Sequence, residues 1–278
     1  MARARVDDLV RTWGLTVDRT SETESSILAF GARGRQPVVL KVLKREGDEW
    51  HSGDVLEAFG GRGVVRVFEH VEGAVLVERA APGDSLVSLA IAGGDEDATA
   101  ILADVIQRMA GSTPPPRCAT VYDWEKEFAR YVATGDRQIP QDLVEDGQRA
   151  YVDLAASQGR TRLLHGDLHH YNVLRDSARG WLAIDPKGVV GEIEYEVGAA
   201  LRNPIERLDL FASRQAIEGR LDSFARILDL DIDRALRWVF AQAVLSAIWQ
   251  VEDGFAVTAD NAIVRLASTA REMLGPAV

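Results

Sequence analysis

Apolar positions recur with two different periods along this chain, and the change of period divides it. From about residue 24 to 80 they alternate with polar ones or gather in short runs bounded by glycine, the pattern of half-buried strands. SSILAFGARGRQPVVLKVL predicts two strands around a glycine-containing turn at Gly31–Gly34, and GVVRVFEH with GAVLVERA predicts two more, joined through Glu72-Gly73. Between these pairs, GDEWHSGDVLEAFG predicts one short helix on which Trp50, Val55, Leu56 and Phe59 share a face. A helix over residues 4–13, stopped by Gly14, precedes them.

A break follows at APGDSL, residues 81–86, and the helical period then dominates. DEDATAILADVIQRMAG predicts an amphipathic helix ending at Gly111; STPPPR predicts a loop; residues 121–134 and 141–158 predict further helices. RLL and WLAID predict two short strands. From 205 onward the chain reads as helical, including ALRWVFAQAVLSAIWQV and a last helix over about 258–274, beginning near Thr258 and stopping at Gly275-Pro276. The pattern predicts an α+β protein of two lobes: a small β-rich one over residues 1–80, a hinge, and a larger helical one over 81–278. Clefts between such units are where ligands bind.

Composition narrows the class. With 278 residues, 46% of them apolar, the chain buries a sizeable core. The single cysteine, Cys118, excludes an internal disulfide and suits a reducing compartment. MARARVDDLV carries no apolar signal core, and the longest apolar stretch, Val239–Trp249, is too short to span a bilayer. These features predict a cytoplasmic protein with no membrane partner. A net charge of −11 disfavours nucleic acid and is compatible with a cationic small molecule.

The densest chemistry lies in LLHGDLHHYNVL, residues 163–174, where polar groups crowd between apolar pairs. Asp167 and Asn172 are five residues apart, so a loop can aim both at one volume, and Asp185 ends the apolar run WLAID. Asn172 and Asp185 offer the oxygen donors Mg²⁺ prefers, which leaves Asp167 to orient a hydroxyl and accept its proton. Such a site needs a lysine from the other lobe. Lys41 in VVLK supplies it, in a strand similar to the V-A-I-K strand of kinases. A helical acid should hold that lysine, Glu49 first and Glu57 second. The run LVERA offers backbone groups from Glu78 to Ala80 to an adenine edge.

These elements, in this order, resemble the aminoglycoside phosphotransferases, kinase-fold enzymes that phosphorylate hydroxyls of small molecules. HGDLHHYN matches their H-G-D-x-x-x-x-N loop, and with IDPKGVVGE it looks most like the streptomycin 6-kinases and related antibiotic-resistance kinases. The resemblance runs from about residue 20 to the last helices, although the Gly31–Gly34 turn lacks a full G-x-G-x-x-G. It implies a protein-kinase-like fold, ATP and Mg²⁺ as cofactors, Asp167 as catalytic base, and Asn172 and Asp185 as metal ligands. It further implies that Lys41 contacts the α and β phosphates with Glu49 as its anchor. Ser25 and Ser26 fall where the family's phosphate-covering loop lies, Glu78 to Ala80 meet adenine, and His165 braces the loop.

Two other classes fit parts of the pattern. His165, His169 and His170 with an aspartate suggest a zinc hydrolase, but no HExxH-type spacing accompanies them. A non-catalytic kinase-like binding module is the other. Carboxylates for a cationic acceptor must come from the helical lobe: Glu192, Glu194 and Glu196 in GEIEYEVG, Asp209, and the pair Glu252-Asp253. Glu196 reads best as the cap of a helix starting near Val197, Glu192 as a brace or acceptor contact, and Glu252 and Asp253 as acceptor contacts.

Overall fold

The computed structural model describes residues 2–207 and 211–275. A five-stranded antiparallel sheet forms the smaller lobe, built from β1 (Thr16–Glu22), β2 (Ser26–Arg33), β3 (Gln36–Leu43), β4 (Val67–Val71) and β5 (Ala74–Glu78) in the order β1-β2-β3-β5-β4. Helix α1 (Ala2–Thr12) places Val6 and Leu9 against one face, where Ile27, Ala29, Val38, Leu40, Val42 and Leu76 are buried. Strand alternation turns Leu28, Phe30, Val39 and Lys41 to the other face, toward the second lobe. Helix α2 (Ser52–Phe59) lies beside β4 and β5.

Two expectations for this lobe are corrected. Strand β1, TVDRTSE, was not legible because it is exposed along nearly its whole length and so carries no apolar alternation. It forms by pairing with β2, and Arg19 lies over the Phe30 ring at 3.8 Å. Gly31 is not in a turn but inside β2, opposite Val38; the β2–β3 turn passes through Gly34 alone, at the end remote from Lys41. The turn at the Lys41 end of these strands is instead the β1–β2 turn, residues 23–25, where Ser25 O accepts from the Lys44 amide at 2.8 Å.

Beyond Glu78 the chain crosses at Arg79 to Ala81 into β6 (Pro82–Ser85), which pairs with β9 (Val173–Asp176), itself in a hairpin with β10 (Gly180–Ala183). A second small sheet joins β7 (Ala119–Thr120), β11 (Val189–Gly191) and β8 (Arg162–Leu164). Helices α3 (Val87–Ile91), α4 (Asp95–Met109), α5 (Glu125–Thr134), α6 (Gln141–Ala156), α7 (Ile193–Leu201), α8 (Arg214–Leu228), α9 (Ile232–Glu252) and α10 (Ala262–Leu274) complete the larger lobe. Helix α9 is buried nearly all round, with Trp238, Phe240 and Val244 fully enclosed, because it packs against α6, α7 and α10 at once. The final helix starts four residues later than its composition suggests. Asn261 is the cap, accepting from the Ile263 amide at 2.9 Å, and Thr258 lies in the preceding turn. The fold is the α+β, two-lobed, kinase-like one expected from the sequence. No helix among the described residues is long and apolar enough to cross a membrane.

Candidate active site

Strand β3 brings Lys41 to the crevice between the lobes, where its ammonium lies 2.9 Å from Asp185 Oδ1 and is also paired with Glu49. Burial alone would depress Lys41, but the carboxylates of Asp185 and Glu49 outweigh it and raise the lysine above its ordinary value, so the amine stays charged. Glu49 reaches Lys41 from the turn before α2, not from a helix, since α2 begins only at Ser52. Glu57 faces away and meets His70 Nε2 at 3.3 Å.

Asp185 sits at φ 57°, a left-handed conformation uncommon for a residue with a side chain and often kept where a site demands it. The segment before it is tied to the catalytic loop. Asn172 O accepts from the Ile184 amide at 2.9 Å, and His165 Nε2 donates to Ile184 O at 2.8 Å. His165 Nδ1 then accepts from the Asp167 amide at 3.3 Å. Burial pushes the His165 imidazole down to about 4, so it stays neutral and holds two loops together by hydrogen bonds. Gly166 turns at φ 80°, and a Cβ there would come within 2.6 Å of Val189, so only glycine fits between His165 and Asp167.

Asn172 donates through Nδ2 to Asp167 O at 3.0 Å, which leaves its Oδ1 as an acceptor. This oxygen and the second oxygen of Asp185, whose neighbour Ile184 donates its amide to Asn172 O, are hard donors of the kind and number Mg²⁺ takes from protein when phosphates and water supply the rest. The donor set therefore fits magnesium. The three histidines of the loop do not converge as a zinc set: His165 engages Ile184, His169 lies 3.9 Å from Asp167, and the His170 ring is buried elsewhere.

Arg202 donates to Asp167 Oδ1 at 3.1 Å, and Lys187 and His169 stand 3.7 and 3.9 Å from Oδ2. Burial opposes its ionisation, but Lys187, His169 and Arg202 outweigh that and hold it well below the usual carboxylate range. Sequence reasoning missed Lys187 and Arg202. Lys187 was in plain view in IDPKG; Arg202, at the end of α7, has no local signal.

Glu196 is the clearest correction. It does not cap a helix near Val197, because α7 already begins at Ile193; it lies inside α7, buried, and accepts from the amides of His165 and Gly166 at 2.7 and 3.1 Å. Burial pushes its carboxyl up to about 7. A folded pKa above the unfolded 4.5 means a contribution fully present below pH 4.5 and lost as pH rises through 7. Glu196→Gln should therefore flatten the stability profile over that window. Urea titrations should show the wild type losing about 3 kcal/mol relative to the variant across it. Parallel curves would show that Glu196 does not titrate there.

Glu192 is also corrected. It is buried, accepting from Arg234 Nε at 2.6 Å, from the Gly159 amide at 2.8 Å and from the Trp238 indole. Its oxygens are used inside the lobe, so it neither braces the metal loop nor meets an acceptor. Glu252 is bound through both oxygens by Arg130, at 3.0 and 2.8 Å, which offsets its charge. Asp253 is exposed at the end of α9. Asp209 lies outside the described residues.

At the hinge, the amides of Glu78 and Arg79 are spent on Arg66 O at 2.9 Å and Pro37 O at 3.2 Å, and the Glu78 side chain pairs with Arg179. Ala80 has no backbone partner among the described residues. Between it and Lys41 runs an apolar slot lined by Leu28, Phe30, Val39, Val77, Leu174 and Ile184. Ser26 shares the slot-facing side of β2, but its hydroxyl is engaged by Thr23 Oγ1 at 3.0 Å. Ser25 is exposed at the turn, and the amides of Glu24 and Ser25 have no partner among the described residues.

Residues 13–254 match the family model described as aminoglycoside/hydroxyurea antibiotic resistance kinase. Streptomycin 3''-kinase of Klebsiella pneumoniae is 34% identical over 84% of this chain and 86% of its own. Streptomycin 6-kinase of Streptomyces glaucescens is 30% identical over 96% of this chain and 89% of its own. In fold, the chain is similar to aminoglycoside phosphotransferase APH(4)-Ia in ternary complex with ADP and hygromycin B, with TM-score 0.68 and 19% identity over 98% of this chain and 99% of that one. It is also similar to choline kinase LicA of Streptococcus pneumoniae, with TM-score 0.65 and 15% identity over 98% of both chains. With two thirds of its length and more aligned to such relatives, the chain belongs to the aminoglycoside/hydroxyurea antibiotic resistance kinase family.

Proposed function

We propose that this protein is an ATP-dependent small-molecule kinase that transfers the γ-phosphoryl group to a hydroxyl of an aminoglycoside, with a streptomycin-like acceptor. The observation that supports the reading is the Lys41 ammonium 2.9 Å from Asp185, beside a loop that Asn172 closes by donating to Asp167 O at 3.0 Å. The names of the relatives support the acceptor class. We place the protein in the cytoplasm, where ATP is available.

In this reading adenine fills the apolar slot and bonds to the backbone of Ala80 rather than Glu78. The free amides of Glu24 and Ser25 and the Lys41 ammonium hold the phosphates. Asn172 Oδ1 and the second oxygen of Asp185 would hold Mg²⁺, which would offset phosphate charge there. Asp167 orients the acceptor hydroxyl in line with the γ-phosphorus and takes its proton late, since its carboxylate is a weak base. On the acceptor side, Trp249 and Asp253 at the end of α9 offer a flat apolar surface and a carboxylate to a cationic sugar.

A second acceptor class has its own support, because one relative is a hydroxyurea phosphotransferase, 29% identical over 90% of this chain. ADP release should be measured with MgATP and, separately, streptomycin, hygromycin B, choline and hydroxyurea. Streptomycin is expected to accelerate it at least tenfold over water. Stimulation by hydroxyurea or choline alone would overturn the aminoglycoside assignment.

A further inference from the structure

The sequence motif IDPKG contains a cation that the mechanism above brings into no contact with substrate. Lys187 is two residues past Asp185 and is held in place by its successor. Gly188 donates its amide to His165 O at 3.0 Å, turns at φ 77°, and lies so close to α2 that a Cβ would meet Val55 at 2.4 Å. The backbone at 187 is thereby clamped between catalytic loop and small lobe.

The side chain extends into the crevice. Its Nζ stands 3.7 Å from Asp167 Oδ2, 3.7 Å from Asp48 Oδ2 and 5.1 Å from the centre of the Trp249 ring. Each distance exceeds a hydrogen bond, and Lys187 makes none among the described residues, so three N–H donors are uncommitted. The neighbouring cations differ. Lys41 is committed to Glu49 and Asp185, and Arg202 to Asp167 and, at 3.3 Å, to Gln242.

We propose that Lys187 is a catalytic residue that touches the phosphoryl group in flight, donating to an equatorial oxygen as that group passes from ATP to an acceptor oxygen held by Asp167. This rests on the kinase reading of the site. In the step, the bond from phosphorus to the β–γ bridging oxygen breaks and its electron pair leaves with ADP. The acceptor oxygen bonds to phosphorus, and its proton goes to Asp167. Lys187 neither gives nor takes a proton. Reacting atoms approach to about 3–3.5 Å before transfer, so the phosphorus comes within roughly 6 Å of Asp167, a volume the four-carbon stem of Lys187 sweeps. Charge spread over three equatorial oxygens is what an additional cation supplied at this point stabilises.

The test compares Lys187→Met, Lys187→Arg and Asp48→Asn, using kcat for streptomycin phosphorylation, kcat for MgATP hydrolysis by water, and calorimetric affinities for MgADP and for MgADP with aluminium fluoride. Lys187→Met should lower both kcat values by about 10²–10³-fold and weaken the aluminium fluoride complex by a similar factor, with MgADP affinity within threefold of wild type. Lys187→Arg should recover at least tenfold of the lost rate, and Asp48→Asn should leave kcat within threefold. If Lys187→Met weakens MgADP as much as its aluminium fluoride complex, or if Asp48→Asn reproduces the loss, Lys187 acts on nucleotide fit or lobe closure and the proposal is overturned. Failure of wild type to accept streptomycin would count only against the acceptor, because hydrolysis and calorimetry still decide Lys187. Failure to bind MgADP at all would overturn the kinase reading itself.

Discussion

Asp167→Asn lowers kcat by about 10³-fold and leaves MgATP binding as tight as in wild type or tighter, a loss in the range that general-base groups supply. The direction of the second effect follows from charge. Asp167 lies beside the place where the γ-phosphate must arrive, so removing its negative charge relieves repulsion in the ground state while removing the proton acceptor of the transition state. Asparagine is the informative replacement because it keeps the shape of the side chain and still offers an oxygen to Arg202, now 3.1 Å away and little exposed. Alanine would leave Arg202 and Lys187 facing each other without a carboxylate between them, which confuses loss of chemistry with loss of loop geometry. Steady-state rates with streptomycin and a nucleotide titration of the same variant separate the effects. A variant that keeps a tenth of the rate would remove Asp167 from the proton transfer.

How much of this site was legible depends on whether each residue acts through its near sequence neighbours. Lys41 was readable because VVLK sets a lysine at the end of an apolar strand run, as in the V-A-I-K strand of kinases. Asp167 and Asn172 were readable because a short loop constrains its own ends. Glu49 was found by type and spacing although the helix expected to carry it starts three residues later, at Ser52. Glu192 and Glu196 show where this kind of reasoning stops. Four apart in sequence, one at the N-cap of α7 and one inside it, they offer the same carboxylate to a cationic acceptor, yet one anchors Arg234 and Trp238 while the other accepts from the amides of the catalytic loop. Nothing in the local sequence announces that both carboxylates are buried; that follows from tertiary packing. The same holds for Arg202, whose partner is 35 residues away in sequence. Strand β1 was missed for the converse reason, since an exposed edge strand takes its conformation from its neighbour and needs no apolar pattern of its own.

Asp185→Asn should abolish the dependence of nucleotide affinity on magnesium and lower kcat by at least about 10²-fold, the loss expected when a metal that offsets phosphate charge is no longer held. The choice of asparagine again matters, because the φ of 57° at this position is one that asparagine adopts readily and alanine does not. The variant therefore keeps the backbone path that carries Ile184 to His165 and Asn172, and Lys41 retains Glu49 when it loses its contact with Asp185. What it removes is the one anionic charge of the donor pair, with Asn172 left as a neutral donor. In wild type, MgATP at a hundred times its Kd stabilises the fold by about 2.7 kcal/mol, and chelation of magnesium should erase most of that gain. In the variant, thermal midpoints with ATP should be the same in magnesium and in EDTA. If they instead differ as they do in wild type, the ion is held elsewhere, and the pairing of Asp185 with Lys41 serves only to position the lysine.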